Sequence, residues 1–540
     1  MGDNDNTIHL KVLDHQPVFR IGLFNGQEHI DFRVMGRFSV RDENDHDLLK
    51  KIDSDLKWRV KIKESVPGKE RYFLIVYEAF DRQVVEEKLA RVKEIDESAE
   101  ILVLGGDIYL EDRRVNNNTK YVIKVGSFAT ELEARKAFKR FQPDFIPYVE
   151  KEIVKAPQGQ LEVFDAEYER SAEAAGVVRI VPEDINTQIK LYGVRSYDEI
   201  LQREEFTDLV YNGIIEFRFD IHGQLMAISE IPLEPYLKRV IYSEIGTDLP
   251  LEFAKSLAIV CRSEALARVN HNCLGEPYDY DTSGKTLRYV GKEFSDENID
   301  RAVELTAGQV IFSKSCVRDT PFHLICGGHT EDDPGMAANG SAPFFKGKFD
   351  GKESLKEFGD LQLEPNVRKW IHARPETWCN LRGREIPESL EQGKRYFRWE
   401  VNYSRRELEE ILRRKTGEDI GILFEIIPLV RGCSGRLKEI ELIGSLKNYR
   451  IRGELNIREA LAYDYLPSSC FLVERELDET GTPISFTFVG AGQGHGMGMC
   501  KIGGVVMAME GYDSNAILEH YFESCRIQSI YEIDLDKREE

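Results

Sequence analysis

Apolar and polar residues begin to alternate early in the chain. "QPVFRIGLF" and "IDFRVMGRFSVRD" put every second side chain on one face, as half-buried strands do, and two such runs in succession predict an opening hairpin within residues 1–55. From Leu56 to Gln158 the period switches between that of a strand and that of a helix. The order is strand "YFLIVYEAF", helix "DRQVVEEKLARVKEI", strands "AEILVLGG" and "KYVIKVGSF", helix "TELEARKAFKRF" and a last strand near "FIPYVEKEIV". Two tandem strand-helix units predict a small α/β sandwich over residues 56–158, with one sheet face covered by both helices. Residues 159–540 open strand-rich, with "TQIKLYGV" and "GIIEFRFD", and reach a helical stretch from Leu233 to Val269. Leu237, Val240 and Ile241 share one face of a first helix; Leu257, Val260, Cys261 and Leu266 support a second, with Pro250 breaking between them. The expected fold class is α+β: a mixed, strand-rich domain with a helical segment and a small sandwich inserted near the N-terminus.

One segment breaks the periodic pattern. "FVGAGQGHGMGMCKIGG", Phe488 to Gly504, threads seven glycines around a single histidine, His495. Glycine loses the most conformational entropy on folding, so this density requires positive φ angles or a very close backbone approach. Met497, Met499, Ile502 and Val505 interleave with the glycines, which a flexible linker would not have. The segment runs into "VVMAMEGYDSNAILEHYF", where Ala516, Ile517, Leu518, Tyr521 and Phe522 fall at helical spacing. Neither a P-loop ending nor a dinucleotide fingerprint is completed.

The 540 residues suffice for several cores, and 73 Lys and Arg against 95 Asp and Glu leave a net charge of −22 spread along the chain. A sequence-independent nucleic-acid binder needs a basic face, so no nucleic-acid partner is expected. The polar start "MGDNDNTIHL" does not read as a signal peptide, which leaves a cytoplasmic location open, and no apolar run predicts a transmembrane segment. The nine cysteines contain no Cys-x-x-Cys pair and define no disulfide framework.

Six stretches carry a family resemblance. In order they are "GIIEFRFDIHGQLMAISEIPLEPYLKRVIYSEIG", "AKSLAIVCRSEALA", "RAVELTAGQVIF", "FHLICGGHTED", "GCSGRLKEIELIG" and "GQGHGMGMCKIGG". They resemble, in the same order, the landmarks of the stage II sporulation protein D / LytB family. "YVIKVGSFATELEARKAFKRF" within the insert resembles the SPOR domain, a peptidoglycan-binding module. These resemblances imply a cell-envelope protein whose partner is the glycan strand of peptidoglycan: a lytic transglycosylase, or a non-catalytic enhancer of a cell-wall amidase. No cofactor is implied.

The resemblance carries the family's essential glutamate to Glu244, at the end of the helix before the proline break, as the single acid/base of glycan cleavage. A solvated or capping carboxylate is the plain alternative. It carries the arginine of the Ala-rich helix to Arg262, as a group that orients the acid or binds substrate, with a structural ion pair as the equal alternative. His495 with Gly494, Gly496 and Gly498 would line the glycan groove. Some members hold zinc after the Ala-rich helix, but Tyr280, Lys285 and Thr286 stand where those ligands would fall, so that metal is not carried over; packing is the expected role of Cys261 and Cys273. If the two glycine-rich landmarks line one groove, Cys326, His329, His495 and Cys500 form a chemically sufficient zinc set, against separate structural roles.

Overall fold

The computed structural model describes residues 6–141, 144–198, 203–282, 287–291, 296–313, 316–332, 345–352, 356–523 and 526–537. It is α+β. The chain divides into two compact units, one of residues 1–244, 261–319 and 528–540, the other of residues 245–260 and 320–527.

The first unit is built on two large sheets. In one, the strands run in the order Val12–Leu13, Gln16–Gln27, Leu225–Pro232, Ile214–Phe219, Val177–Pro182, Phe38–Arg41 and Asp47–Ile52, with Tyr280–Asp281 added parallel to Gln16–Gln27. The other is antiparallel, in the order Ser171–Ala175, Gln158–Asp165, Trp58–Val66, His29–Val34, Ile189–Asp198 and Arg203–Tyr211. Phe32 and Trp58 from this second sheet meet Phe38 and Phe217 from the first, with ring centroids 5.5 to 6.4 Å apart. The two opening strands form, but they do not pair as a hairpin. Gln16–Gln27 pairs with Leu225–Pro232, whereas His29–Val34 lies between Trp58–Val66 and Ile189–Asp198 in the other sheet. Alternation specifies which face of a strand is buried, not which strand lies beside it.

Trp58–Val66 and Gln158–Asp165 are antiparallel neighbours, with Val66 opposite Gln158. The segment between them therefore leaves the large sheet and returns to it at one point. It folds as a four-stranded antiparallel sheet, ordered Tyr148–Lys155, Lys69–Ala79, Lys120–Phe128, Glu100–Leu104. The sandwich thus begins at Lys69; Trp58–Val66, within the range expected for the insert, belongs to the larger sheet. Helix Arg82–Ile95 starts at Asp81, whose carboxylate accepts the Gln83 N–H, and helix Glu131–Ala137 starts at Thr130, whose hydroxyl accepts the Glu133 N–H. Both pack on one sheet face around Leu74, Val76, Val85, Val92, Ile123 and Phe141. The opposite face and residues 270–279 border a cavity of about 990 Å³, into which Lys124, Lys151, Asn270 and Asn272 contribute polar groups.

The second unit contains the sheets Trp399–Ser404, Pro483–Gly490, Phe471–Leu477 and Leu423–Arg431, Leu437–Gly444, Asn448–Arg452. Helices Arg405–Thr416 and Glu454–Ala460 share their core, which includes Leu408, Leu437, Phe471 and Phe486. A Ser404/Glu407 capping box starts the first of these helices and Gly417, at φ 69°, ends it. Phe322–His323 pairs parallel with Met499–Cys500, which brings the "CGGHT" segment against the glycine-rich loop.

Phe141 is 1% exposed within the insert's core. Phe141→Ala should destabilise the insert by about 3–5 kcal/mol. By hydrogen-exchange mass spectrometry, protection should fall in Lys69–Ala79 and Lys120–Phe128 and stay unchanged in Ile214–Phe219. Equal loss in both would show that the insert and the large sheets unfold as one.

Candidate functional site

Glu244 lies in the last turn of helix Leu233–Ile245, between buried Ile241 and Ile245. Its Oε1 accepts the Arg288 N–H at 2.9 Å, while the Ser243 hydroxyl oxygen accepts the Val290 N–H at 3.0 Å. Tyr289 between these two contacts is buried, its ring 5.6 Å from that of Tyr211 and 5.3 Å from that of Tyr236. The half-buried carboxylate is thus oriented by a backbone donor held on an aromatic cluster.

Arg262 is fully buried and turned inward. Its Nε and Nη2 donate to Glu234 Oε1 and Oε2 at 3.1 and 2.6 Å, and its Nη1 donates to the Gln309 carbonyl at 2.9 Å. Gly308 N–H also donates to Glu234. Of the two roles read for Arg262, the structure places it in the internal ion pair; a side chain with no exposed surface cannot contact substrate without leaving Glu234 buried and charged.

Tyr280 is a core residue whose hydroxyl donates to the Ala265 carbonyl, while Lys285 and Thr286 lie outside the described residues. His271 sits 2.6 Å from the Asn118 carbonyl; burial, with the charge of Lys120, takes it down to about 4. Burial pushes the Cys273 thiol up to about 12. Cys261 is buried within helix Leu251–Ala267.

In the glycine-rich loop, Gly492, Gly494, Gly496 and Gly498 all have positive φ, 82°, 98°, 81° and 66°. The side each glycine leaves bare is taken by the protein itself. A Cβ at Gly494 would stand 2.9 Å from His323 Cβ, one at Gly496 2.4 Å from Arg436 Cζ, and one at Gly498 1.9 Å from the Pro321 carbonyl oxygen. The expectation that these three glycines bare backbone toward a sugar is therefore corrected: their missing side chains admit neighbouring strands and a guanidinium. His495 is half-buried, its Nδ1 accepting the Met497 N–H at 3.1 Å, with its ring 5.7 Å from that of His323.

Arg436 is the hub of this region. Only 1% exposed, it donates to the carbonyls of Cys326, His329 and Gly494 at 3.1, 3.4 and 3.3 Å and to the Ser434 hydroxyl at 3.0 Å. Ser434 in turn donates to Glu331 Oε2 at 2.5 Å. Burial pushes the Glu331 carboxyl up, but the charge of Lys438, the Ser434 hydrogen bond and the charge of Arg436 outweigh it and hold it below the ordinary range. One guanidinium thereby ties together the "CGGHTED", "GCSGR" and "GQGHGMG" landmarks.

The four residues of the anticipated zinc set separate into two groups. Cys326 and Cys500 come together, joined by Asp350 and Cys379, and the four ligand atoms lie within 4.8 Å of one another. His329 instead sets its Nδ1 2.7 Å from the Thr330 carbonyl, and His495 bonds within its own loop. Asp350 and Cys379 carried no signal in the sequence: each is an isolated residue in an irregular stretch, "GKFDGK" and "ETWCN".

Residues 221–312 match the family described as stage II sporulation protein, SpoIID, which supports a SpoIID domain there and suggests a cell-wall-related function. Residues 338–498 match a domain of unknown function, DUF8618. An uncharacterized protein of Brachyspira hyodysenteriae is 25% identical over 385 residues, covering 69% of this chain and 90% of that protein. A crystal structure of a Burkholderia pseudomallei protein is 12% identical at a TM-score of 0.15, covering 29% of this chain and 25% of that one. Among the described residues, no helix is long and apolar enough to cross a membrane.

Arg436→Met should destabilise the second unit by about 3–5 kcal/mol, because it leaves Glu331 buried beside unpaired carbonyls. Arg436→Lys should recover only part of this loss, since an ammonium cannot reach several carbonyls in different directions. Thermal unfolding followed by near-UV circular dichroism measures both; a parent-like melt for Arg436→Met would remove the hub assignment.

Proposed function

We propose that the protein acts outside the cytoplasm on the glycan strands of peptidoglycan, as a lytic transglycosylase with Glu244 as its acid/base. The observation that carries this reading is the position of Glu244. It stands inside the SpoIID match, in the closing turn of helix Leu233–Ile245, with its carboxylate half-buried and oriented by the Arg288 N–H. Glycosidic cleavage needs a group that protonates the leaving oxygen, and an acid that recovers its proton during intramolecular attack by a sugar hydroxyl needs no second carboxylate. Arg262 supports this chemistry indirectly, by fixing helix Leu233–Ile245 through Glu234. The insert, which resembles a SPOR domain, would supply glycan affinity. Lys124, Lys151, Asn270 and Asn272 at its cavity present the donors that sugar hydroxyls accept.

Glu244→Gln keeps the side chain's shape and most of its hydrogen bonding but cannot deliver a proton. Release of anhydro-sugar ends from denuded glycan strands, followed by mass spectrometry, should drop by roughly 100- to 10,000-fold while the thermal melt stays at that of the parent. Cleavage at the parent rate would end the assignment. If parent and variant both leave glycan intact but stimulate a cell-wall amidase equally, the protein is an amidase enhancer.

A further inference from the structure

We propose that Cys326, Asp350, Cys379 and Cys500 together bind one zinc ion. The site lies wholly within the second unit, and it stands or falls independently of the role of Glu244.

The ligands come from four separate segments and converge at bonding distances. Cys326 Sγ is 3.4 Å from Cys379 Sγ and 3.1 Å from Asp350 Oδ2, and all four ligand atoms fall within 4.8 Å of one another. A zinc tetrahedron with bonds of about 2.3 Å to sulfur and about 2.0 Å to oxygen places its ligands roughly 3.5 to 3.8 Å apart. An iron–sulfur cubane would hold cysteine sulfurs much further apart, with inorganic sulfide between them.

The surrounding shell is organised as a metal site requires. Asp350 Oδ1 accepts the Tyr521 hydroxyl at 2.9 Å and lies 3.1 Å from His520 Nε2, which leaves Oδ2 directed at Cys326. Backbone N–H groups point at the sulfurs: Gly328 to Cys326 at 3.2 Å, and Cys326 and Gly503 to Cys500 at 3.4 and 3.3 Å. Such N–H···S bonds and a clamped carboxylate orient ligands and disperse thiolate charge. The turn after Cys326 runs through Gly327 and Gly328 at φ 79° and 107°, and a Cβ at Gly503 would stand 2.7 Å from Asp350 Oδ2. Glycine at position 503 therefore lets the start of helix Lys501–Met509 approach the cluster.

All four ligands are buried. Three sulfurs and a carboxylate crowded out of water are accommodated when they share a dication, which displaces the thiol protons as it binds. Four protein ligands close the tetrahedron, so the ion's role is structural: it ties "CGG", Asp350, Cys379 and the helix Lys501–Met509 into one body.

The test uses the full chain, produced with zinc in the medium and purified under reducing conditions without chelator. Elemental analysis should find one zinc per chain. Replacement by cobalt should give sulfur-to-cobalt charge-transfer absorption in the near-ultraviolet and an intense tetrahedral d–d band. Cys379→Ser and Cys500→Ser should each lower zinc affinity by at least ~10-fold, whereas Cys470→Ser, a buried cysteine outside the cluster, should leave zinc content unchanged. The cobalt spectrum of the parent decides the matter even if a cysteine variant fails to fold. The proposal is overturned by a chain that binds neither metal, by iron in place of zinc, by a Cys326–Cys379 disulfide in the mass spectrum, or by variants that keep full zinc affinity.

Discussion

The second unit depends on the burial of a single guanidinium. Among the described residues, Arg436 has no carboxylate at bonding distance; its partners are three backbone carbonyls and a serine hydroxyl, and the Glu331 carboxylate is reached through Ser434. A planar fork of five donors is the one side chain that can serve several carbonyls in different directions at once. The charge can be kept out of water only while those carbonyls converge, so the loops that supply them are held in one arrangement. This constraint also explains Gly496, where any side chain would occupy the space of the guanidinium. Arg398 repeats the device nearby, donating to the carbonyls of Gly327, Trp370, Ile371 and Ala373, and so fixes the other end of the same glycine turn.

The first unit solves a similar problem with a true ion pair. Glu234 begins helix Leu233–Ile245 and Arg262 lies within helix Leu251–Ala267; their two-point contact aligns the first helix against the strand Gln309–Ser313. The glutamate at the far end of that first helix, Glu244, inherits its position from this pair and from Tyr289, which anchors the backbone that donates to it. Helix Leu233–Ile245 thus carries two glutamates of different kinds. Glu234 is committed to the interior, whereas Glu244 keeps a half-buried carboxylate at the helix end.

Local features were legible because short-range physics decides them. The strand-helix rhythm of the insert, the break at Pro250, and the need for positive φ in "GQGHGMG" follow from side-chain period, proline geometry and the steric freedom of glycine. Partner choice was not legible. The opening strands were alternating and well bounded, yet each pairs with a strand from a different part of the chain, because a strand's edge is satisfied by whichever neighbour the connections bring alongside.

The SpoIID resemblance over residues 221–312 and the α+β character were written in the sequence by itself. The tertiary structure alone decided what the landmarks face. It turned the glycines toward Pro321, His323 and Arg436, sealed Arg262 against Glu234, and replaced His329 and His495 beside Cys326 and Cys500 with Asp350 and Cys379. The reason is physical: a residue type announces which contacts it tolerates, but a cluster of ligands or a buried charge exists only where segments tens or hundreds of residues apart meet, and that meeting is set by the packing of the whole unit.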